Sequence, residues 1–366
     1  MDNKSMTYRF IISGGGTGGH IFPAIAVADE IKQQHPSAQI LFVGAEGRME
    51  MKKVPESGYE IVGLPIRGLQ RKLTVKNLWL PYYVLRSVWL SFQLVKKHKP
   101  HAVIGFGGYA SAPLLFAAAL KGIPVFIQEQ NSYAGLTNKV LAKWAKFIFV
   151  AYENMQSFFP ISKLKHTGNP IRKGVLNALA SVTDTKTEWG FDVSKKVVLV
   201  IGGSLGATAV NNAIKNNLDA LQKLGIQLLW QTGETHFQKF SNLSQEGVVV
   251  LPFIKDMAKA YGAADIIVSR SGAIAVSELA IVGKPVILVP SPNVTEDHQT
   301  KNAMALVHQQ AAVLVKDAEV NQVLVNVLEK LMNNEAELTR LSTNIQRLAK
   351  PEAAKEIVNY VIAVIK

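Results

Sequence analysis

The sequence predicts an α/β protein made of two doubly wound, parallel-sheet units in tandem. Three observations lead there. An apolar strand near the N-terminus runs into a glycine-rich turn and then a helix. The same succession restarts near residue 196. The chain has 366 residues, more than one core usually needs.

The elements follow in order. Residues 8–13 form the first strand, which ends in Gly14-Gly15-Gly16-Thr17-Gly18-Gly19-His20. A helix is predicted from Pro23 to about Gln34, with proline in its first turn. Further strands read at 39–44, 101–106, 124–128 and 147–150, with helical patterns between them. The connector is placed at 163–173, around Gly168-Asn169-Pro170. The second half opens with a strand at 196–201 and the turn Gly202-Gly203-Ser204-Leu205-Gly206-Ala207. Strands at 226–231, 248–251, 265–269 and 285–290 follow, and residues 352–366 read as an amphipathic helix. Two such sheets place a cleft between their carboxyl edges, where open α/β folds take their ligands.

Composition narrows the function classes. Apolar residues make up 48% and charged residues 18%, as in an ordered globular protein. The absence of cysteine excludes a disulfide scaffold, a thiol nucleophile and a zinc–thiolate site. No run of about 18 apolar residues offers a spanning helix, and residues 1–9 carry no signal-peptide pattern. Of the net charge of +13, nearly all lies in residues 1–170, which hold 20 Lys and Arg against 9 Asp and Glu. That asymmetry calls for an anionic partner, either nucleic acid or a membrane surface.

The segment 67–99 carries eight Lys and Arg and no acid. Arg71, Lys72 and Lys76 stand beside Leu78, Trp79 and Tyr82, the composition of an interfacial membrane patch. Residues 83–95 read as packing largely inward, and residues 69–82 as the membrane-facing part. No nucleic-acid motif accompanies the basic segment, so nucleic acid is not expected as a partner.

Gly14, Gly16 and Gly19 satisfy the dinucleotide spacing, in which glycines let backbone approach phosphate at a helix N-terminus. A nicotinamide site also wants an acid at the tip of the second strand. Val43 is followed there by Gly44-Ala45, and Glu46 comes late. One such turn in each half points instead to an anionic, phosphorylated ligand; a tight structural turn is the alternative. His20 stands at a helix start, where the dipole favours a neutral imidazole able to accept a hydroxyl proton. A purely structural cap-region histidine is the alternative. Ser269 to Glu278 marks another strand-turn-helix junction, with small hydroxyls and backbone N–H groups for phosphate and Glu278 for a ribose diol. Residues 291–302 form a long polar loop suited to sugar hydroxyls. Glu296, Asp297 and His298 there also allow a weak divalent-metal reading.

Taken together, these motifs resemble the MurG family of peptidoglycan N-acetylglucosaminyltransferases over nearly the whole chain. The resemblance rests on Gly14–His20, Gly105-Phe106-Gly107-Gly108-Tyr109-Ala110-Ser111 and Gly202–Ala207. It also rests on Glu129-Gln130-Asn131, Gly168-Asn169-Pro170-Ile171-Arg172, Pro252-Phe253-Ile254, Ser269–Glu278 and Asp297-His298-Gln299, in order and at family-like spacing. It implies a GT-B fold of two Rossmann-like domains. Residues 1–168 with a returning helix at 350–366 would bind acceptor and membrane, and residues 169–349 would bind UDP-GlcNAc. The implied reaction moves N-acetylglucosamine with inversion to the muramoyl 4-hydroxyl of lipid I, giving lipid II.

The same resemblance implies donor contacts from Thr17, Gly18, Gly19, Asn131, Arg172, Ser204, Ile254, Ala273, Ile274, Ala275, Val276, Ser277, Glu278 and Gln299. Ile254 would meet the uracil through its backbone, Glu278 the ribose, Ser204 the diphosphate and Gln299 the hexose hydroxyls. His20 leads as base, with Glu129 and Tyr109 secondary. No cofactor and no catalytic metal are implied. The expected place is the cytoplasmic face of the bacterial inner membrane, held peripherally on an anionic surface, with cell-wall synthesis proteins as partners. Gln128, Leu205 and His298 depart from the family's pattern and touch individual contacts only. A UDP-sugar 2-epimerase and a non-enzymatic nucleotide-sugar or lipid-binding module are the rival classes.

Overall fold

The computed structural model describes residues 7–66, 79–180, 185–203 and 206–366. The chain divides into two compact units, Met1–Arg172 with Pro351–Lys366, and Lys173–Lys350.

The first unit runs β1 (Arg9–Ser13), α1 (Gly18–Gln34), β2 (Gln39–Ala45), α2 (Glu50–Glu56), β3 (Glu60–Leu64), α3 (Leu80–His98), β4 (Ala102–Gly105), α4 (Ser111–Leu120), β5 (Val125–Glu129), α5 (Leu136–Leu141), β6 (Phe147–Val150) and β7 (Leu164–His166). Among the described residues its strands make one parallel sheet in the order β3-β2-β1-β4-β5-β6-β7. The period of two separates its faces. Ile11, Val103, Ile127 and Ile148 enter the core on one side. Phe10, Ile12, Ile104, Phe126 and Phe149 enter it on the other. A parallel sheet covered on both faces needs apolar residues at successive positions, which is why these strands read as continuous runs.

The second unit runs α6 (Lys173–Ala180), β8 (Val197–Ile201), α7 (Thr208–Asn216), α8 (Leu218–Lys223), β9 (Gln227–Gln231), β10 (Val248–Leu251), α9 (Met257–Ala263), β11 (Ile266–Ser269), α10 (Ala273–Val282), β12 (Val286–Leu288), α11 (His298–His308), β13 (Val313–Leu314), α12 (Val320–Met332) and α13 (Glu335–Arg347). Its described strands form a parallel sheet in the order β10-β9-β8-β11-β12-β13. The chain then returns to the first unit as α14 (Ala353–Ile365), which packs on α1. Ile357, Val358, Val361 and Ile362 bury there at i, i+1, i+4 and i+5. Each such side chain contributes about 1.5–3 kcal/mol of apolar burial.

Three elements differ from the sequence expectation. Helix α1 begins at Gly18 and carries Pro23 inside it, so His20 lies in its first turn. Glycine's low helix propensity had hidden that start. The expected polar loop 291–302 ends as helix from His298 onward, after a short 3-10 turn at Thr295–Asp297, and Gln299 lies in the first turn of α11. Helix α3 turns only part of its apolar residues inward: Val95 is buried and Leu90 and Leu94 pack half-buried against the core. Ser87, Ser91 and Val95 are its buried positions, four apart, and Ser91 Oγ donates to the Ser87 carbonyl at 2.7 Å. Helix α3 packs on α4, and small buried side chains such as Ser87 and Ser91 suit a close helix–helix contact. Leu85, 70% exposed, and Trp89, 59% exposed, point outward.

Candidate active site

Each sheet has a switch point. β1 lies between β2 and β4, and β8 lies between β9 and β11. Chains leaving neighbouring strands at such a point diverge to opposite faces and open a crevice at the carboxyl ends. The loops after β1, β4 and β8 are glycine-rich, and the short loop after β11 carries Gly272.

In the first unit Ser111 ties the two loops together. Its hydroxyl lies 2.8 Å from the Gly107 carbonyl and 3.2 Å from the Ser13 carbonyl. The second loop runs close under the first: a Cβ on Gly108 would lie 2.6 Å from the Gly15 carbonyl oxygen. Gly108 also holds φ at +89°, so glycine is required there twice over.

His20 sits in this crossing. Its Nδ1 is 2.7 Å from the Gly15 carbonyl oxygen. A carbonyl only accepts, so Nδ1 carries the hydrogen, and in the neutral ring Nε2 is left as the acceptor. Nε2 lies beside Gly107, where an added Cβ would stand 3.0 Å away. Thr17 is exposed, while Gly18, Gly19 and His20 are half-buried. The arrangement offers a bare imidazole nitrogen beside a helix N-terminus. Tyr109, 48% exposed, follows Gly108 on the neighbouring loop.

Glu129 ends β5 in a different environment. Its Oε1 accepts the Asn131 N–H at 3.1 Å and the Asn131 side-chain amide at 3.4 Å. Its Oε2 accepts the Gly135 N–H at 2.9 Å and the Asn138 side-chain amide at 2.8 Å. The carboxylate thus braces the loop before α5 with both oxygens. Gln128 donates to Asn169 Oδ1 at 2.9 Å, and the Asn169 amide donates to the Gln130 carbonyl at 3.1 Å, tying that loop to the connector. The Arg172 guanidinium lies 4.7 Å from the Phe22 ring centroid, over α1.

In the second unit Gln231, at the end of β9, bridges two loops. Its Nε2 donates to the Gly203 carbonyl at 3.1 Å and its Oε1 accepts the Ile254 N–H at 2.9 Å. The Ile254 N–H is thereby engaged within the protein. Ser204 lies outside the described residues. Asn211 on α7 donates to the Thr232 carbonyl at 2.8 Å and accepts from the Trp230 indole at 2.9 Å, fixing the helix that follows this loop.

Ala273 opens α10, preceded by Gly272 in extended backbone. Ala273 and Val276 are buried, while Ile274, Ala275, Ser277 and Glu278 are half-buried. Ser277 Oγ donates to the Ala273 carbonyl at 3.0 Å. Burial, and then the charge of Glu278, push the Tyr261 phenol far above the usual tyrosine range. Arg270 is structural: it donates to the Val289 and Pro290 carbonyls at 2.9 and 3.0 Å and pairs with Asp317 at 2.5 Å.

Gln299 Oε1 accepts the Ser291 N–H at 2.9 Å, and the Gln299 carbonyl accepts from Ser271 Oγ at 2.9 Å. These two bonds fix the Gln299 side chain and backbone against residues 271 and 291. Glu296 and Asp297, just before, hold φ of +56° and +51°, a left-handed pair that costs free energy in non-glycine residues. Among the described residues no group of three or more His, Asp or Glu is placed to hold a metal.

The basic-aromatic segment is partly in view. Arg71, Lys72, Lys76 and Leu78 lie outside the described residues. Trp79 is 62% exposed and Tyr82 is 50% exposed, and the exposed row continues along α3 through Leu85 and Trp89. No described helix is long and apolar enough to cross a membrane.

Sequence reasoning missed Gln231 and Glu50. Glu50 is buried against the loop after β1. An acid opening the helix after the second strand was the one visible sign of Glu50.

Comparison with known proteins adds three findings. Residues 10–150 match the glycosyltransferase family 28 N-terminal domain and residues 197–357 the glycosyltransferase family 28 C-terminal domain. The chain is 51% identical over 358 residues to a Cytophaga hutchinsonii protein and 49% identical over 360 residues to one from Flavobacterium psychrophilum. Both are named UDP-N-acetylglucosamine–N-acetylmuramyl-(pentapeptide) pyrophosphoryl-undecaprenol N-acetylglucosamine transferase. The matches cover 98% of this chain with 97% and 98% of those proteins, respectively. The crystal structure of Acinetobacter baumannii MurG superposes with a TM-score of 0.81 at 32% identity, covering 98% of this chain and 100% of that one.

Proposed function

This chain belongs to glycosyltransferase family 28, and we propose that it moves N-acetylglucosamine from UDP-GlcNAc to the 4-hydroxyl of MurNAc in undecaprenyl-diphosphate-MurNAc-pentapeptide. The observation that carries this reading is the full-length identity of about half with transferases of that name. The two glycine-rich switch points support it, since one suits an acceptor and the other a nucleotide diphosphate.

The transfer is a single inverting displacement. The bond from the anomeric carbon to UDP breaks as the bond to the acceptor oxygen forms. The acceptor proton passes to His20 Nε2, whose lone pair the Gly15 contact leaves bare. Glu129 is the weaker base candidate, because both of its oxygens are engaged in holding a loop. The leaving diphosphate gathers its charge at the N-terminus of α7, and Ser204 is its side-chain donor. Glu278 takes the ribose diol, the Ile254 carbonyl the uracil imide, and Gln299 the hexose hydroxyls. Thr17, Gly18, Gly19, Asn131 and Arg172 are the first unit's substrate-binding residues, and Tyr109 serves the acceptor.

The acceptor carries a lipid, and the enzyme meets it peripherally at the cytoplasmic face of the bacterial inner membrane. Trp79, Tyr82, Leu85 and Trp89 supply the interfacial side chains, and Arg71, Lys72, Lys76 and Arg86 the charge toward anionic lipid. Cell-wall synthesis proteins are the natural neighbours there.

Following UDP release with UDP-GlcNAc alone and with a lipid I analogue tests the reading. Release that depends on the analogue, with a disaccharide product, supports it. Conversion of UDP-GlcNAc without an acceptor makes the protein an epimerase or hydrolase. Binding without turnover makes it a carrier.

A further inference from the structure

The loop that holds His20 is itself held by a buried carboxylate. Glu50, the first residue of α2, is 1% exposed. Its Oε2 accepts the Gly16 N–H at 2.9 Å and its Oε1 accepts the Ala45 N–H at 3.0 Å. The Gly16 N–H and the Gly15 carbonyl belong to one peptide plane. That carbonyl accepts the His20 Nδ1–H at 2.7 Å. A single peptide group therefore stands between a buried carboxylate and the imidazole.

The sequence makes room for this carboxylate on two sides. A Cβ on Gly15 would lie 2.1 Å from Glu50 Oε1, and a Cβ on Gly44 would lie 2.5 Å from Glu50 Cγ. At Gly44 the clash is with the stem of Glu50, and at Gly15 a Cβ would push the carboxylate out of its place, so glycine at both positions keeps the contact intact. The two donors at the carboxylate also have different consequences. The Ala45 bond anchors Glu50 to the end of β2. The Gly16 bond is charge-assisted and fixes the plane of a peptide whose other end faces the histidine.

We propose that Glu50 is a positioning residue for His20, acting through the Gly15–Gly16 peptide. The proposal rests on the reading of His20 as the base. The carboxylate turns the Gly15 carbonyl toward Nδ1 and polarises it, and hydrogen bonds in series strengthen one another in this way. The imidazole is thereby held in the tautomer whose Nε2 is bare. When Nε2 takes the acceptor proton, Nδ1 keeps its own, and the new ring charge lies one peptide away from a buried anion. The proton then leaves Nε2 for solvent after UDP departs. Aspartate–histidine pairs in hydrolases do the same work by direct contact; here a backbone amide is inserted between the two.

The test is made on the full chain with 15N-labelled histidine. In the unmutated protein the His20 resonances are expected to report a protonated Nδ1 and a bare Nε2. Glu50→Gln keeps the size but removes the charge and one acceptor. It is expected to mix the tautomers and lower kcat roughly 10- to 100-fold, as loss of a partner behind a functional histidine does, with donor KM within about twofold. A role confined to holding the loop would instead raise donor KM and leave the tautomer alone. A folded Glu50→Gln chain with unchanged tautomer and kcat overturns the proposal. So does an unmutated His20 carrying its hydrogen on Nε2, a result that needs no variant to fold. Normal kcat in His20→Ala overturns the base reading instead, and the tautomer measurement separates that failure from this one.

Discussion

The side-chain oxygen of Gln231 accepts the Ile254 N–H at 2.9 Å, joining the end of β9 to the loop proposed to meet the uracil. The other end of the same amide holds the Gly203 carbonyl at 3.1 Å. One buried side chain thus sets the spacing of the base loop and the diphosphate loop. Gln231→Leu keeps the volume but leaves the buried Ile254 N–H unpaired, a cost of about 1–3 kcal/mol where water cannot reach, while the exposed Gly203 carbonyl keeps the Gly206 N–H at 3.0 Å. The expected result is a lower melting temperature and a raised donor KM with kcat little changed. Donor KM equal to that of the unmutated chain would make Gln231 a strut without bearing on the donor.

How much of this was legible beforehand depends on where each residue's partners lie. The central strands of both sheets were readable because burial on two faces demands unbroken apolar runs, as in Val197–Ile201. β3, β7 and β13 were not. β7 is Leu-Lys-His and β13 is two residues long, and sheet edges need no such run. Helix α3 follows the usual rule only in part: Val95 is buried and Leu90 and Leu94 pack on the core, yet Ser87 and Ser91 are inside while Leu85 and Trp89 are outside. Apolarity alone does not tell which of its large side chains face solvent. His20 was legible as a residue at a helix start, but its tautomer was not, because that depends on the Gly15 carbonyl. Glu50 and Gln231 act on backbone groups 34 and 23 residues away, and no local pattern encodes such a pairing.

Membrane association is expected to depend on α3 as well as on the basic segment before it. Leu85 and Trp89 are the exposed apolar side chains whose burial in an interface costs the fold nothing. Each nearby Lys or Arg adds about 1 kcal/mol on anionic lipid, falling off over a Debye length. Replacing Leu85 and Trp89 by glutamate, or reversing the charge at Arg71, Lys72 and Lys76, should release the protein from phosphatidylglycerol vesicles in a flotation assay. Turnover of a soluble acceptor analogue should be unchanged. Vesicle binding that survives both sets of changes would move the patch to another face.

Stability is expected to fall on mild acidification through His101. Its Nδ1 accepts the Arg9 N–H at 3.0 Å, joining the residue before β4 to the start of β1. Desolvation, and then the Arg9 guanidinium, lower its pKa below the ordinary histidine value. The unfolded chain therefore takes up the proton first. The contribution is complete above about pH 6.5 and is lost as the pH falls from there through the lowered folded value. His101→Asn keeps an acceptor for the Arg9 N–H but does not titrate. Thermal melts between pH 8 and pH 5.5 should show a shallower decline in that variant. Parallel declines in the two chains would assign the acid sensitivity to another group.

The last prediction sets His20 against Glu129. Both end up beside the first unit's switch point, yet the structure gives them opposite hydrogen-bond states. His20 spends its Nδ1–H on Gly15 and keeps Nε2 bare. Glu129 spends one oxygen on Asn131 and the other on Gly135 and Asn138. A base must have a lone pair to offer when the acceptor hydroxyl arrives, and only the histidine has one without dismantling a loop. General-base assistance is typically worth about 10²–10⁴-fold, so His20→Ala should lower kcat by at least about 10²-fold. Donor KM should stay near its original value, because the loop glycines remain. Glu129→Gln retains one oxygen for Gly135 or Asn131 but turns a donor toward the other partner. It should lower the melting temperature and raise KM while retaining much of kcat. Steady-state kinetics on the two variants, with the melting temperature of each as a control, decide the matter. Near-normal kcat in His20→Ala, with kcat abolished in a folded Glu129→Gln, would transfer the base to Glu129 and leave His20 as a loop residue.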